Sequence, residues 1–200
     1  KFAVNSIRFS PNSQILATAS DDKTIKLWSL SNGRTRNTFS KGANLKHSKT
    51  AVSPDDQKIA IPSLGSREVS SVFRFGDGQI PADIRGRIWM PEYSESRFVV
   101  SDTNQLKVYD VETADLIGSI PMGPGDVHKV VISRQGSHVA AYAGGEIVTL
   151  WSVDDDRQIP LVVGERAVID LEFTDDGKRL LSASDDGVVR IWDVASTEQL

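Results

Sequence analysis

The chain has 200 residues, a formal net charge of −4 and no cysteine. That length can build a real core, the missing cysteine excludes disulfides and thiolate chemistry, and the scattered lysines and arginines give no electrostatic footprint for nucleic acid or an anionic membrane. No apolar run approaches the ~20 residues of a bilayer-crossing helix and no signal peptide opens the chain, so a cytoplasmic location is expected.

Taken in order, residues 2–9 alternate as a strand, Ser10-Pro11-Asn12-Ser13 turns it, and Ile15-Leu16-Ala17 begins a second. Asp21-Asp22-Lys23 turns into a third strand ending at Trp28, and Ser31-Asn32-Gly33 leads to a polar outer one. A second round has strands over 46–52, 58–61 and 69–75, with Pro62 ending its second strand because proline cannot donate to a ladder. A third runs from Ile84 through Trp89, then over 97–101, 106–109 and 116–120. A fourth covers 127–132, 138–142 and 147–151, after which Asp154-Asp155-Asp156 turns into an outer strand. The fifth contains Ser182-Ala183-Ser184-Asp185-Asp186-Gly187, where Gly187 supplies positive φ for a tight turn, and closes on Ile191-Trp192-Asp193-Val194.

Three markers keep phase through these rounds, each recurring at about 40 residues. One is the strand-closing aromatic: Trp28, Phe73, Tyr109, Trp151 and Trp192. A second is the turn at Phe9-Ser10-Pro11, Val52-Ser53-Pro54, Trp89-Met90-Pro91, Ile132-Ser133-Arg134 and Phe173-Thr174-Asp175. The third is Val4, His47, Ile84, Val127 and Val168. The hydroxyl, the Asp four residues on and the closing Trp repeat as Thr18, Asp22, Trp28 and as Ser182, Asp186, Trp192. These six are read as structural: the Asp side chains hold turns through nearby backbone N–H groups, and the aromatics pack between units.

The Phe-Ser-Pro turns, the Ser-x-x-x-Asp turn and the closing Trp-Asp resemble the WD-repeat family, and the resemblance covers essentially the whole chain. It implies an all-β fold, a β-propeller of four-stranded antiparallel blades, with one propeller region over residues 1–200. Its five repeats span approximately 1–42, 43–81, 82–123, 124–164 and 165–200, as part of a seven-bladed ring, with a closed five-blade ring as the alternative. The family's Gly-His dipeptide is missing, with Gly164-Glu165 near its place in the fifth unit.

The resemblance places partner binding on the loops that enter first strands and on those joining second and third strands. On this sequence those loops hold Asn5, Asp21, Ser48, Arg85, Asp102, His128 and Asp185. The function it implies is a non-catalytic protein-interaction scaffold that presents blade loops to a protein or peptide, not to nucleic acid or a membrane. The rival is a propeller enzyme, a hydrolase or oxidoreductase, with its site over a central channel. That would need several His, Asp or Glu at first-strand starts, where only His128 is suited. No metal or cofactor is expected. Asp154-Asp155-Asp156 lacks the alternating spacing of a calcium loop, His47, His128 and His138 have no metal-ligand spacing, and neither a nucleophile elbow nor a phosphate loop occurs.

Overall fold

The computed structural model describes residues 2–10, 13–40, 51–53, 58–61, 69–74, 82–85, 92–102, 104–123 and 127–200. Among them every regular element is a strand. The first sheet is β1 (Val4–Phe9), β2 (Ile15–Ser20), β3 (Thr24–Ser29) and β4 (Thr35–Ser40); the second is β5 (Ala51–Val52), β6 (Lys58–Ile61), β7 (Val69–Arg74) and β8 (Ala82–Arg85). The third is β9 (Glu92–Tyr93), β10 (Arg97–Asp102), β11 (Gln105–Asp110) and β12 (Leu116–Pro121). The fourth is β13 (Lys129–Ile132), β14 (His138–Tyr142), β15 (Ile147–Ser152) and β16 (Arg157–Val162), and the fifth is β17 (Val168–Phe173), β18 (Arg179–Ser184) and β19 (Val189–Asp193). Within each sheet, strands that are neighbours in sequence pair antiparallel, the connectivity of propeller blades. Trp192 adds a single bridge to Gln199. Residues 1–91 and 92–200 form two compact units.

Period-two patterning explains the strands locally. Ile15, Ala17 and Ala19 are buried along β2, as are Ile25 and Leu27 along β3, with half-buried residues between them. The turn into β3 places Lys23 at φ 67°, where the fifth sheet has Gly187 at φ 80°. Asp22 makes the lysine tolerable by accepting from Thr24 N–H at 2.8 Å and Thr24 Oγ1 at 2.6 Å.

In the first, third, fourth and fifth sheets the turn between first and second strands is built on one buried or half-buried hydroxyl. Ser10 Oγ accepts from Ile15 N–H at 3.0 Å, Ser133 Oγ from His138 N–H at 3.0 Å and Thr174 Oγ1 from Arg179 N–H at 3.1 Å. In the third sheet the residue is Ser94, accepting from Arg97 N–H at 2.9 Å. This differs from the sequence expectation. Ile84 lies in β8, paired with Ser70 at the outer edge of the second sheet, and Trp89-Met90-Pro91 lies outside the described residues. The first strand of the third sheet is only β9, and Tyr93-Ser94 follows it directly.

Within residues 92–200 the sheets stack through these turns. A Cβ at Gly136 would lie 2.7 Å from Ser94 Oγ, and one at Gly177 would lie 2.7 Å from Gln135 Oε1 and 3.4 Å from Ser133 Cβ. Arg97 donates to Gly136 O at 3.0 Å and pairs with Asp154, while Arg134 pairs with Glu95 at 2.8 Å. Between the fourth and fifth sheets, Val148 and Leu150 share one buried core with Val168, Leu171, Leu180 and Trp192.

The closing aromatics reach different partners. Trp28 Nε1 donates to Thr18 Oγ1 at 2.9 Å and Trp192 Nε1 to Ser182 Oγ at 2.8 Å. The fourth sheet has Ala141 where the first and fifth carry the hydroxyl, and Trp151 Nε1 turns to Asp156 Oδ1 at 3.2 Å. The three adjacent carboxylates thus serve three different neighbours, since Ser152 Oγ donates to Asp155 at 2.9 Å and Asp154 pairs with Arg97.

Candidate functional site

In the first unit, the loop joining β2 to β3 is held against the entry to β1. Asp21 N–H donates to Ala3 O at 2.9 Å, and Asn5 Nδ2 donates to Asp21 Oδ1 at 2.6 Å. Two of the sequence-derived residues are therefore in direct contact.

The same relation recurs in the second unit and is extended there. Asp185 N–H donates to Ala167 O at 2.9 Å, and Ser184 Oγ reaches the carbonyls of Arg166 and Ala167 at 3.2 Å each. On the other side of the segment entering β17, Val163 N–H donates to Glu146 O at 2.8 Å and Val168 N–H to Gly145 O at 2.9 Å. Residues 143–146, 163–167 and 185–188 thereby form one platform, tied by backbone hydrogen bonds. It exposes the side chains of Glu146, Glu165, Arg166 and Asp185.

His128 flanks this platform. Its N–H donates to Tyr142 O at 2.9 Å and its exposed ring stacks on Tyr142 with centroids 5.9 Å apart. A Cβ at Gly144 would lie 3.6 Å from His128 Nε2. Tyr142 is fixed in turn, since its hydroxyl donates to Ile169 O at 3.0 Å. Burial pushes the Tyr142 phenol above its usual pKa, and Asp170, itself paired with Lys129 at 2.8 Å, pushes the same way. His138 stands apart, at the start of β14. Burial lowers its pKa against the opposing pull of Asp154 and Asp155, and Ser137 Oγ lies 3.0 Å from its Nδ1.

Asp186 secures the turn beneath Asp185. Oδ1 accepts from Val188 N–H at 2.9 Å, and Oδ2 pairs with Arg190 Nη2 at 2.8 Å. A Cβ at Gly164 would meet Asp186 Oδ2 at 2.8 Å and Arg190 Nη2 at 3.1 Å. Arg190 thus brings a cation to the place where the Gly-His dipeptide is missing, and glycine is the residue that leaves room for it. The Arg190 hydrogen bond is the main cause holding the Asp186 carboxyl below its usual pKa; for Asp22 it is the Thr24 hydroxyl, for Asp176 the Thr174 hydroxyl and for Asp193 the Ser196 N–H. Depressed carboxylates contribute stability above the unfolded-state value of about 4 and lose it as pH falls through the lower folded value. Urea midpoints are accordingly expected to decline modestly below about pH 6.5, where the unfolded chain protonates a His138 that burial keeps neutral in the fold, and to fall further below about pH 4 as the carboxylates protonate. Asp186→Asn should flatten that decline, which urea titrations across pH would record.

Of the remaining sequence-derived residues, Arg85 ends β8 and Asp102 ends β10, while Ser48 lies outside the described residues. Glu146, Glu165 and Arg166 were not singled out by sequence, although Gly144-Gly145 and Gly164 mark the loops that carry them. Among the described residues no three His, Cys, Asp or Glu side chains group as metal ligands, and no helix is long and apolar enough to cross a membrane. The platform's chemistry is that of recognition: fixed backbone, solvent-facing charge, and an aromatic–imidazole pair at its rim.

Comparison with known proteins agrees with this architecture. The family model described as "WD domain, G-beta repeat" matches residues 1–29 and 160–193, the first and last units. The chain is 27% identical over 192 residues to apoptotic protease-activating factor 1 of Danio rerio, covering 95% of this chain and 13% of that protein. It is 23% identical over 198 residues to periodic tryptophan protein 2 of Arabidopsis thaliana, covering 96% of this chain and 22% of that one. To nuclear distribution protein PAC1 of Arthroderma benhamiae it is 26% identical over 195 residues, covering 96% and 36%. The chain therefore spans a small part of the length of these relatives.

Proposed function

We propose that this chain, which is an array of WD repeats, is a non-catalytic scaffold that binds a protein or peptide partner on its loop platform. WD repeats serve in general as protein-interaction scaffolds. What carries the reading for this chain is the platform of residues 143–146, 163–167 and 185–188, whose loops are bonded to one another through backbone groups. A pre-formed surface loses little conformational entropy on binding. Three carboxylates, those of Glu146, Glu165 and Asp185, against the single guanidinium of Arg166 favour a partner segment of net positive charge. Asn5, Asp21 and His128 belong to the same class of loop, and the proposed setting is the cytoplasm.

The test is quantitative affinity capture with the chain as bait. The wild type, a Glu146→Ala/Glu165→Ala/Asp185→Ala variant, His128→Ala and the remote Glu95→Ala would be compared by mass spectrometry. Proteins retained by the wild type and by Glu95→Ala should drop at least about tenfold on the triple variant, a change of about 1.4 kcal/mol. Recovery of the same proteins at equal yield by all four baits would overturn the platform as the binding surface.

A further inference from the structure

In the four-stranded sheets the first residue of the third strand pairs with the last residue of the outer strand. That pair is Thr24–Ser40 in the first sheet, Val69–Arg85 in the second and Gln105–Pro121 in the third. Each of these holds at least one polar side chain. The fourth sheet has Ile147–Val162 there, two β-branched apolar residues directly opposite each other, near enough across the strands to make one apolar spot.

Ile147 is 48% and Val162 63% exposed, although the fourth sheet has a packed neighbour on each face. Val148 and Leu150 are buried in the core shared with the fifth sheet, and Trp151, on the same face as Ile147, lies over Gly118 of the third at 1% exposure. The cover that reaches Trp151 does not extend to Ile147. The spot adjoins the acidic platform. Glu146 directly precedes Ile147, and Val163, which directly follows Val162, donates its N–H to Glu146 O at 2.8 Å. Glu165 stands three residues beyond Val162, and Asp185 lies on the adjoining loop. An apolar centre with a charged rim is the anatomy of a recognition surface, and this rim is negative.

We infer that Ile147 and Val162 form an apolar subsite of the platform, an inference that rests on the platform as the binding surface, and that the partner is a basic peptide segment with one large aliphatic or aromatic side chain beside its lysines or arginines. The apolar side chain beds on Ile147 and Val162 while the cations lie over Glu146 and Glu165. The carboxylates set the charge preference. The apolar pair selects among basic segments, because only one with an apolar residue in place removes both apolar surfaces from water.

The experiment selects binders from a random peptide library displayed on phage, with the full 200-residue chain as bait. The baits are the wild type, Glu146→Ala/Glu165→Ala/Asp185→Ala, and Ile147→Thr/Val162→Ser, which installs the corresponding pair of the first sheet. Circular dichroism checks folding, and Val162→Ser alone takes over if the double variant does not fold. The wild type should enrich peptides with a large apolar residue beside lysine or arginine. The double variant should enrich basic peptides without that apolar preference, and synthetic copies of the wild-type peptides should bind it at least about tenfold more weakly in fluorescence anisotropy. The triple variant should enrich no basic peptides. Basic peptides of the same composition from the wild type and the double variant would overturn the subsite and leave the platform standing. A wild type that enriches no basic peptides, or a triple variant that enriches them equally, would overturn both.

Discussion

Trp151→Ala is expected to lower the stability of the unit spanning residues 92–200 by about 3–5 kcal/mol. Trp151 is the largest of the fully buried side chains, at 1% exposure. Its indole ring fills the space over Gly118 on the outer strand of the preceding sheet, where an added Cβ would lie 3.1 Å from Cζ2. Truncation removes that filling and leaves Asp156 without the indole N–H. Trp28, only half buried, should cost clearly less when changed to Ala. Urea unfolding of the two variants, fitted with one transition per unit, checks both the size and the order. A loss below about 1 kcal/mol at Trp151 would mean that the third and fourth sheets do not depend on this contact.

Gly136→Ala is the second large effect, and Gly145→Ala is its control. Both glycines have positive φ, 83° and 76°, so each substitution carries a left-handed backbone penalty of about 1 kcal/mol. A Cβ at Gly145 meets nothing within 4 Å, whereas one at Gly136 strikes Ser94 Oγ at 2.7 Å and Arg97 at 3.1 Å. Overpacking should add about 1–3 kcal/mol at Gly136 alone. Equal losses at the two sites in chemical denaturation would show that the seam between these turns relaxes freely.

The sequence carried the fold where chemistry repeats. The hydroxyl–Asp–Trp sets of the first and fifth units, and the period-two runs of the second and third strands, correspond to observed strands and turns. It misled at the third unit. There the hydroxyl turn bonds three residues on rather than five, and follows a two-residue strand. Neither Pro nor Gly marks so short a turn, so Trp89-Met90-Pro91 drew attention away from Tyr93-Ser94. The platform was legible only in part. Asp185 follows from the repeat, but Glu146, Glu165 and Arg166 become its companions through hydrogen bonds between loops, and no periodicity reports those. The partner of the Trp151 indole was hidden for a related reason: Ala141 takes the place of the hydroxyl, and the carboxylate that replaces it comes from the following turn.

The stacking of Gly136 on Ser94 and of Gly177 on Ser133 also has a direction in time. Each glycine belongs to a later turn and rests on a hydroxyl turn made earlier in the chain. A polypeptide leaving the ribosome would complete the Ser94 turn before Gly136 emerges, and the Ser133 turn before Gly177. The fourth and fifth sheets thus each meet a finished template, and within residues 92–200 the order of synthesis matches the order of docking.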